Sequence, residues 1–284
     1  MIELVGKTAF VTGGASGIGL ALGQVLAQAG MNVMLADIES DALGVAVETL
    51  SDLGLKNVGG VICDVADLSS MKQAAVATYR AFGAVHVVCN NAGVVGGSGV
   101  DDIAVETWRW VLDVNLMGVL HGISTFLPHI RAHGEGGHIV NTASMAGLNS
   151  GLGLSPYSAS KFAVVNMSEG LAMQLASSNI GVTVLCPGFV QTRIWDAARN
   201  RQQRYGPATT SSPNSRDARL ADILFDLNKT GIDPLEVAKR TVSAIRQNEL
   251  YVFTHATAQW RSELKQRFNA ILLAMDKAAA ESPI

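Results

Sequence analysis

A doubly wound α/β domain is the fold class the sequence predicts: a parallel sheet of about seven strands with helices on both faces, three layers in all. Three observations predict it. Short apolar runs alternate with longer stretches of helical periodicity along most of the 284 residues, which calls for βαβ units with right-handed crossovers. Gly, Asn, Asp and Ser gather directly after the apolar runs, at the carboxyl ends of the strands, where such sheets bind ligands. A glycine-rich turn follows the first run and opens the first helix, the arrangement that seats a phosphate against helix amides and the positive end of the helix dipole.

Lys7–Thr12 is the first strand, Gly13-Gly-Ala-Ser-Gly-Ile-Gly19 follows it, and Leu20, Leu22, Val25 and Leu26 carry a helical pattern onward. Glycines let the backbone turn tightly and approach a pyrophosphate, so Gly13, Ser16, Gly17, Ile18 and Gly19 are candidate cofactor contacts. The spacing departs from the common Gly-x-Gly-x-x-Gly fingerprint, and an ordinary strand-to-helix turn also accounts for a glycine cluster. Asn32–Ala36 is the second strand and ends in Asp37, near the ~20-residue offset at which an acid meets the adenine ribose. A carboxylate there accepts from both ribose hydroxyls and repels a 2′-phosphate. Ser16 and Ile38 bring no compensating cation, so NAD is favoured over NADP. Taken alone, Asp37 also suits the first turn of the next helix.

A helix over 41–53 leads to a third strand, Val58–Val65, with Asp64 near its end. A helix over 68–82, a strand Val85–Cys89, the polar turn Asn90-Asn-Ala-Gly93 and a helix over 106–127 follow. Gly137–Ala143 is a buried strand that delivers Ser144 to the carboxyl edge of the sheet. Pro156 fits the first turn of a helix over 157–178, which puts Tyr157 and Lys161 on one face. A phenol with a pKa of about 10 is protonated at neutral pH, but a nearby ammonium favours the phenolate. Lowering that pKa by about 3 units takes about 4 kcal/mol. Tyr157 is then a general acid or base with a lowered pKa, and a carbonyl between Ser144 and Tyr157 is polarised by two donors. A surface helix with a snorkelling lysine has the same spacing, so the pair gains meaning from its surroundings.

Gly181–Cys186 is the sixth strand and runs into Pro187-Gly188. The polar stretch 193–230, with Pro207, Pro213 and a Thr-Thr-Ser-Ser run, is a substrate loop ordered at least partly by ligand, with a disordered spacer as the alternative. Asp233 caps a helix with Pro234 at its first position, running to about 246. A last strand, 250–254, precedes a further helix over 256–280. Nothing divides the chain, so one domain over 1–284 is expected.

A net charge of −3 with interspersed signs leaves no basic field for nucleic acid. The N-terminus carries no basic leader, and no run approaches the ~18 apolar residues of a membrane span. A cytoplasmic protein without nucleic-acid or membrane partners is expected. Cys63, Cys89 and Cys186 suit reduced packing thiols. His129 and His133 are spaced for a helical metal pair but lack a third ligand, so no metal is expected.

Thr12-Gly-Gly-Ala-Ser-Gly-Ile-Gly19, Asp64-Val65, Asn90-Asn-Ala-Gly93, Asn115, Ser144, Tyr157-Ser-Ala-Ser-Lys161 and Pro187-Gly188, in that order, resemble the short-chain dehydrogenase/reductase family in its compact one-domain form. The resemblance covers roughly 5–255 and implies a Rossmann fold. It implies Tyr157 as the acid or base, Lys161 on the nicotinamide ribose, Ser144 orienting the substrate oxygen, and Asn115 holding a water that extends the proton relay. It further implies Asp64 on the adenine amino group, Val65 on its ring, and Asn91, Ala92 and Gly93 along the adenosine. Beyond Pro187 and Gly188, Val190 and Thr192 would fix the carboxamide. Dimers or tetramers are implied too, and the apolar faces of 106–127 and 157–178 suggest a two-fold helix-bundle interface.

Ile194–Arg201, Glu249–His255 and Trp260–Phe268 look similar to a subgroup that includes the Cα-dehydrogenases of bacterial lignin aryl-ether breakdown, which oxidise a bulky benzylic secondary alcohol with NAD. Met145, Leu148, Leu152, Leu154, Phe189, Ile194 and Trp195 offer an apolar wall for a hydrophobic alcohol or ketone, aryl ones included. The expected reaction moves hydride between nicotinamide and such a substrate. An NAD-using dehydratase or epimerase is the alternative that a short C-terminal region disfavours. A non-catalytic NAD-sensing protein on the same fold is the alternative that an intact Asn115, Ser144, Tyr157 and Lys161 disfavours.

Overall fold

The computed structural model describes residues 3–96, 103–149, 154–207 and 216–281. The apolar runs form seven strands: β1 (Thr8–Thr12), β2 (Asn32–Asp37), β3 (Val58–Ile62), β4 (Val87–Asn90), β5 (Gly137–Thr142), β6 (Ile180–Cys186) and β7 (Tyr251–Phe253). They pair in the order β3-β2-β1-β4-β5-β6-β7, every pair parallel. The chain reverses direction across the sheet between β1 and β4. That switch point opens a crevice beyond the strand ends.

Central strands are buried on both faces, which is why they are continuously apolar rather than alternating. Their side chains nevertheless separate by parity. Phe10, Ile139 and Val184 join one core with Phe126 and Val164, while Val11, Val140 and Leu185 join the other with Leu22 and Val237. The first core is covered by α3 (Leu68–Phe82), α5 (Gly118–His133) and α6 (Ser155–Leu175); the second by α1 (Gly17–Gln28), α2 (Ser40–Asp52) and α8 (Pro234–Gln247). The Asp67 carboxylate accepts from Ser69 N at 2.8 Å to start α3. Asp233 does the same for α8 through Leu235 N at 2.8 Å, with Pro234 next to it, as the sequence predicts.

Three elements differ from the sequence expectation. The helix expected over 106–127 is α4 (Val105–Leu112), a π turn over Asp113–Met117, and α5, which continues through Pro128 to His133. Pro128 is exposed, and burial of Ile130 with a bond between His133 Nε2 and the Val85 carbonyl holds the last turn against the lost backbone bond. The stretch 193–230 contains short helical turns at Ile194–Asn200 and Gln203–Tyr205 and a further helix, α7 (Arg216–Lys229). Contrary to the expectation that nothing approaches a membrane span, helix 105–133 is long and apolar enough to cross one by length and composition. Its Trp110, Val111, Val119, Ile123, Phe126 and Ile130 are buried in the first core, however, so its apolar face already has a partner. The last helix, α9 (Ala258–Glu281), lies along the surface.

His138, at the centre of the sheet, gives a pH-dependent prediction. Its Nε2 lies 2.8 Å from Thr183 Oγ1, whose own proton goes to the Glu249 carbonyl at 2.7 Å. Nε2 must therefore donate, and Nδ1 is a buried acceptor without a partner. Burial lowers the His138 pKa to about 3. The unfolded chain, titrating near 6.5, thus binds the extra proton first. This contribution to stability is fully present above pH 6.5 and is lost as pH falls toward 3, by about 5 kcal/mol in all. The melting temperature should fall less steeply between pH 7 and 4 in His138→Asn than in the wild type; equal slopes would refute the assignment.

Candidate active site

The turn between β1 and α1 lies at the switch point. Gly13 and Gly17 take φ of +65° and +54°, a left-handed conformation that side chains disfavour. A Cβ on Gly13 would lie 2.9 Å from Ala92 Cα, and one on Gly17 2.9 Å from Thr192 Cγ2. Three loops therefore converge here at backbone distance. Thr12 Oγ1 accepts from Asn91 N at 2.9 Å and Ala92 N at 3.0 Å, and Asn91 Nδ2 donates to the Thr12 carbonyl at 3.0 Å. Ser16 is the N-cap of α1 with no capping bond from its hydroxyl.

One cleft is lined by Gly13, Ser16, Gly17, Ile18, Asp37, Asp64, Val65, Asn91, Ala92, Gly93, Tyr157, Lys161, Pro187, Gly188, Val190 and Thr192. The expected cofactor residues are thereby brought together, with one exception. Gly19 does not line the cleft; a Cβ there would lie 2.0 Å from the Gly13 carbonyl oxygen. Its role is to let α1 pack beneath the turn. A dinucleotide fits this cradle: α1 presents its first-turn amides beside Gly13 and Gly17, which carry no side chains.

At the adenosine end, Asp37 Oδ2 accepts from Ala15 N at 2.9 Å and Oδ1 from Glu39 N at 3.1 Å. Each oxygen keeps acceptor capacity. Ser16 and Ile38 bring no cation, as expected, but Arg193 and Arg199 also line the cleft. Arg199 is committed to Glu39 at 2.8 Å and to the Arg193 and Asp196 carbonyls. Burial pushes the Glu39 carboxyl up, but hydrogen bonds from Arg199 and Asn200 overcome it and leave the group below its ordinary range. Asp64, to which the resemblance gives an adenine contact, lines the cleft and is engaged within the protein: Gln202 Nε2 donates to Oδ1 at 3.1 Å and Arg204 to Oδ2 at 2.8 Å. Residues 199–204 thus clamp the segment onto β2 and the end of β3. These pairings lie far apart in sequence, and only the charges of Arg199 and Arg204 hinted at them.

Ser144 begins a short helical turn, accepts from Ala146 N at 3.1 Å and points its hydroxyl to the Pro187 carbonyl at 3.5 Å; it and Tyr157 line the same chamber. Lys161 is 3% exposed, and its Nζ donates to the Thr142 carbonyl at 2.7 Å. The ammonium lies 5.6 Å from the centre of the Tyr157 ring. The ammonium by itself does not bring the expected lowering of the phenol pKa. Burial raises the Tyr157 pKa and the Ser144 hydroxyl only partly offsets it; burial also lowers Lys161 to about 8. Low dielectric penalises both charged forms, and the ammonium over the ring does not reverse this.

The Asn115 side chain is engaged within the protein. It is fully buried in the π turn, where Oδ1 accepts from Val94 N at 2.8 Å and Nδ2 donates to the Val94 carbonyl at 2.9 Å and Ser160 Oγ at 3.1 Å. Its amide donors are spent anchoring the loop after β4 to α6. Ser160 and Thr142 are the supports that motif reading missed.

Beyond Tyr157, a second chamber of about 280 Å³ is lined by Ser144, Met145, Leu154, Phe189, Ile194, Trp195 and Trp260, among others. Tyr157, Pro187 and Gly188 line both spaces. Leu148 packs on the first core instead, and Leu152 lies outside the described residues. Trp260 closes against Gly188, where a Cβ would meet its ring at 2.4 Å.

The three cysteines are free and buried, and burial pushes each thiol up to about 12. His133 meets His86 and Glu135, a grouping the sequence spacing did not reveal. His86 Nδ1 accepts from Thr8 N and its Nε2 pairs with Glu135, while His133 Nδ1 accepts from Glu135 N and Nε2 faces the Val85 carbonyl. Every ring nitrogen is committed. His129 packs at a tilt against Tyr79, ring centroids 4.9 Å apart.

A family model described as short chain dehydrogenase matches residues 7–203. The C alpha-dehydrogenase of Sphingobium sp. (strain NBRC 103272 / SYK-6) is 32% identical over 273 residues, 96% of this chain and 87% of that protein. The 1-deoxy-11-beta-hydroxypentalenate dehydrogenase of Streptomyces avermitilis is 35% identical over 285 residues, 99% of this chain and 96% of that protein. Among solved structures, a short chain dehydrogenase/reductase from Burkholderia phymatum in complex with NAD is similar at a TM-score of 0.91 and 36% identity, covering 96% of this chain and 97% of that one.

Proposed function

The chain belongs to the short-chain dehydrogenase family, and from that premise we propose an NAD-dependent oxidoreductase acting on a hydrophobic, aryl-sized secondary alcohol or its ketone. The observation that carries this reading is Tyr157, which lines both the dinucleotide cleft and the apolar chamber. A carbinol in the chamber reaches a proton acceptor while its carbon faces the cleft. The relatives named as dehydrogenases support the reaction class, and the NAD complex supports the cofactor.

When bound, the cofactor accepts or supplies the hydride and, oxidised, brings positive charge to the site. The chain's residues do the rest. Ser16, Gly17 and Ile18 receive the pyrophosphate at the start of α1. Asp37 takes the ribose hydroxyls and disfavours a 2′-phosphate. Val65, Asn91, Ala92 and Gly93 shape the adenosine side, and Pro187, Gly188, Val190 and Thr192 hold the carboxamide. Ser144 orients the substrate oxygen, Tyr157 takes or gives its proton, and Lys161 holds the nicotinamide ribose. Asn115 positions the loop around them.

A chamber of about 280 Å³ is nearly twice the ~150 Å³ of a cavity that takes benzene, so it admits one substituted ring. Within the segment 193–230, of which 208–215 lie outside the described residues, Ile194, Trp195 and Asn228 line the chamber and are assigned to covering the substrate. A homodimer or homotetramer is supported by Leu120 and Met173, exposed on α5 and α6; a monomeric mass at micromolar concentration would refute it. The free thiols suit the reducing cytoplasm.

The test is NADH absorbance with NAD, and separately NADP, against secondary alcohols from short aliphatic to benzylic. Oxidation of benzylic members with NAD supports the reading; NAD binding without turnover of any alcohol counts against it. The raised phenol pKa adds a signed pH dependence. Oxidation needs Tyr157 deprotonated, so kcat/KM should climb with pH through neutrality, whereas ketone reduction should decline at high pH. A flat profile in both directions would exclude Tyr157 as the titrating group.

A further inference from the structure

Among the described residues, the substrate chamber is lined by one charged side chain, Glu263 from the second turn of α9. The rest of the described wall is apolar or aromatic apart from the Ser144 hydroxyl and the amides of Asn149 and Asn228, and contributes no Lys or Arg. Glu263 is held from two sides: Asn149 Nδ2 donates to Oε2 at 2.8 Å and Gln259 Nε2 to Oε1 at 2.9 Å. A carboxylate offers about four acceptor sites, so roughly two remain after these bonds.

A fixed carboxylate in an apolar chamber is stable while water reaches it. A substrate that fills the chamber removes that water, and a carboxylate left short of partners is costly. A bound molecule that brings its own donor removes the cost. A second carboxylate adds like-charge repulsion that no cation in the wall offsets.

Resting on the alcohol oxidoreductase reading above, we infer that Glu263 is a specificity-determining residue. It selects substrates with a second hydroxyl, phenolic or alcoholic, remote from the reacting carbinol, and it excludes carboxylated alcohols. Asn149 and Gln259 position it. The proposal gives the last helix a substrate contact, whereas a merely structural α9 would leave discrimination among substituents untouched.

The experiment compares four alcohols with NAD: the methyl carbinols of phenyl, para-hydroxyphenyl, para-methoxyphenyl and para-carboxyphenyl. The wild type should prefer the hydroxy over the methoxy compound by about 10- to 100-fold in kcat/KM and turn over the carboxylate poorly. In Glu263→Gln, which keeps the size and removes the charge, the hydroxy-to-methoxy ratio should shrink to within about threefold, mostly through KM, and the carboxylate should gain. Turnover with the same ratios in both proteins would overturn the Glu263 role and leave the oxidoreductase reading standing. Failure of the wild type on all four alcohols would remove that reading and this inference together.

Discussion

In the Tyr157→Phe variant, kcat for alcohol oxidation should fall by about 10³-fold while NAD still binds. General acid–base transfer contributes about 10²–10⁴ to a rate, and here the phenol also helps hold the carbinol oxygen beside Ser144. The substitution deletes one oxygen. Its ring stays packed under Lys161, whose Nζ is anchored on the Thr142 carbonyl and not on the phenol, so the ribose contact and the cleft wall survive. Steady-state kinetics and a calorimetric NAD titration separate the two effects. A fall in kcat of less than tenfold would mean that another group moves the proton. Lys161, brought to about 8 by burial, would then be the first to consider. A parallel loss of NAD affinity would instead mean that the phenol is part of the binding surface.

The second large effect is expected at a residue that touches no ligand. In Gly19→Ala the new methyl would start 2.0 Å from the Gly13 carbonyl oxygen, 2.6 Å from its carbon and 2.7 Å from Asn91 Nδ2. None of these can yield. Gly13 continues from β1, Gly14 N is bonded to the Ala36 carbonyl at 3.1 Å, and Asn91 is tied to Thr12. Helix α1 must move away, and with it the amides that face the pyrophosphate. Overpacking costs about 1–3 kcal/mol, which lowers the melting temperature by roughly 3–10 °C for a chain of this size. NAD affinity should drop by at least about 100-fold, since displacement by an ångström undoes a charge-assisted hydrogen-bond set. Gly44→Ala is the control: it lies in α2 with nothing within 4 Å of the added carbon, and should be neutral or slightly stabilising. Equal NAD affinity in the two variants would show that α1 packing does not set the phosphate site.

The strands and the order of the motifs were legible because each rests on a local rule: parallel strands buried on both faces, glycine at a left-handed turn, Asp and Pro at a helix start. Tyr157 and Lys161 were legible as neighbours for the same reason. Their electrostatics were not, since a four-residue spacing says nothing about where the ammonium points or how dry the site is. The π turn at Asn115 escaped because one inserted residue hardly perturbs a helical pattern. The pairs Glu39 with Arg199 and Asp64 with Arg204 span more than a hundred residues and belong to the tertiary fold alone. Helix α7 was hidden by its polar, charge-rich composition, which resembles a loop until it packs.

The stretch from Ile194 to Arg204 lines the second chamber at its start and grips Glu39 and Asp64 at its end. On the proposed reading, breadth of substrate and hold on the dinucleotide are therefore not separate traits in this chain. Selection or engineering that reshapes the chamber at Ile194 or Trp195 acts on the same piece of backbone that fences the adenosine. Changes of taste in the alcohol are bought with changes in cofactor grip, and variants that broaden the first need compensation around Arg199 and Arg204 to retain the second.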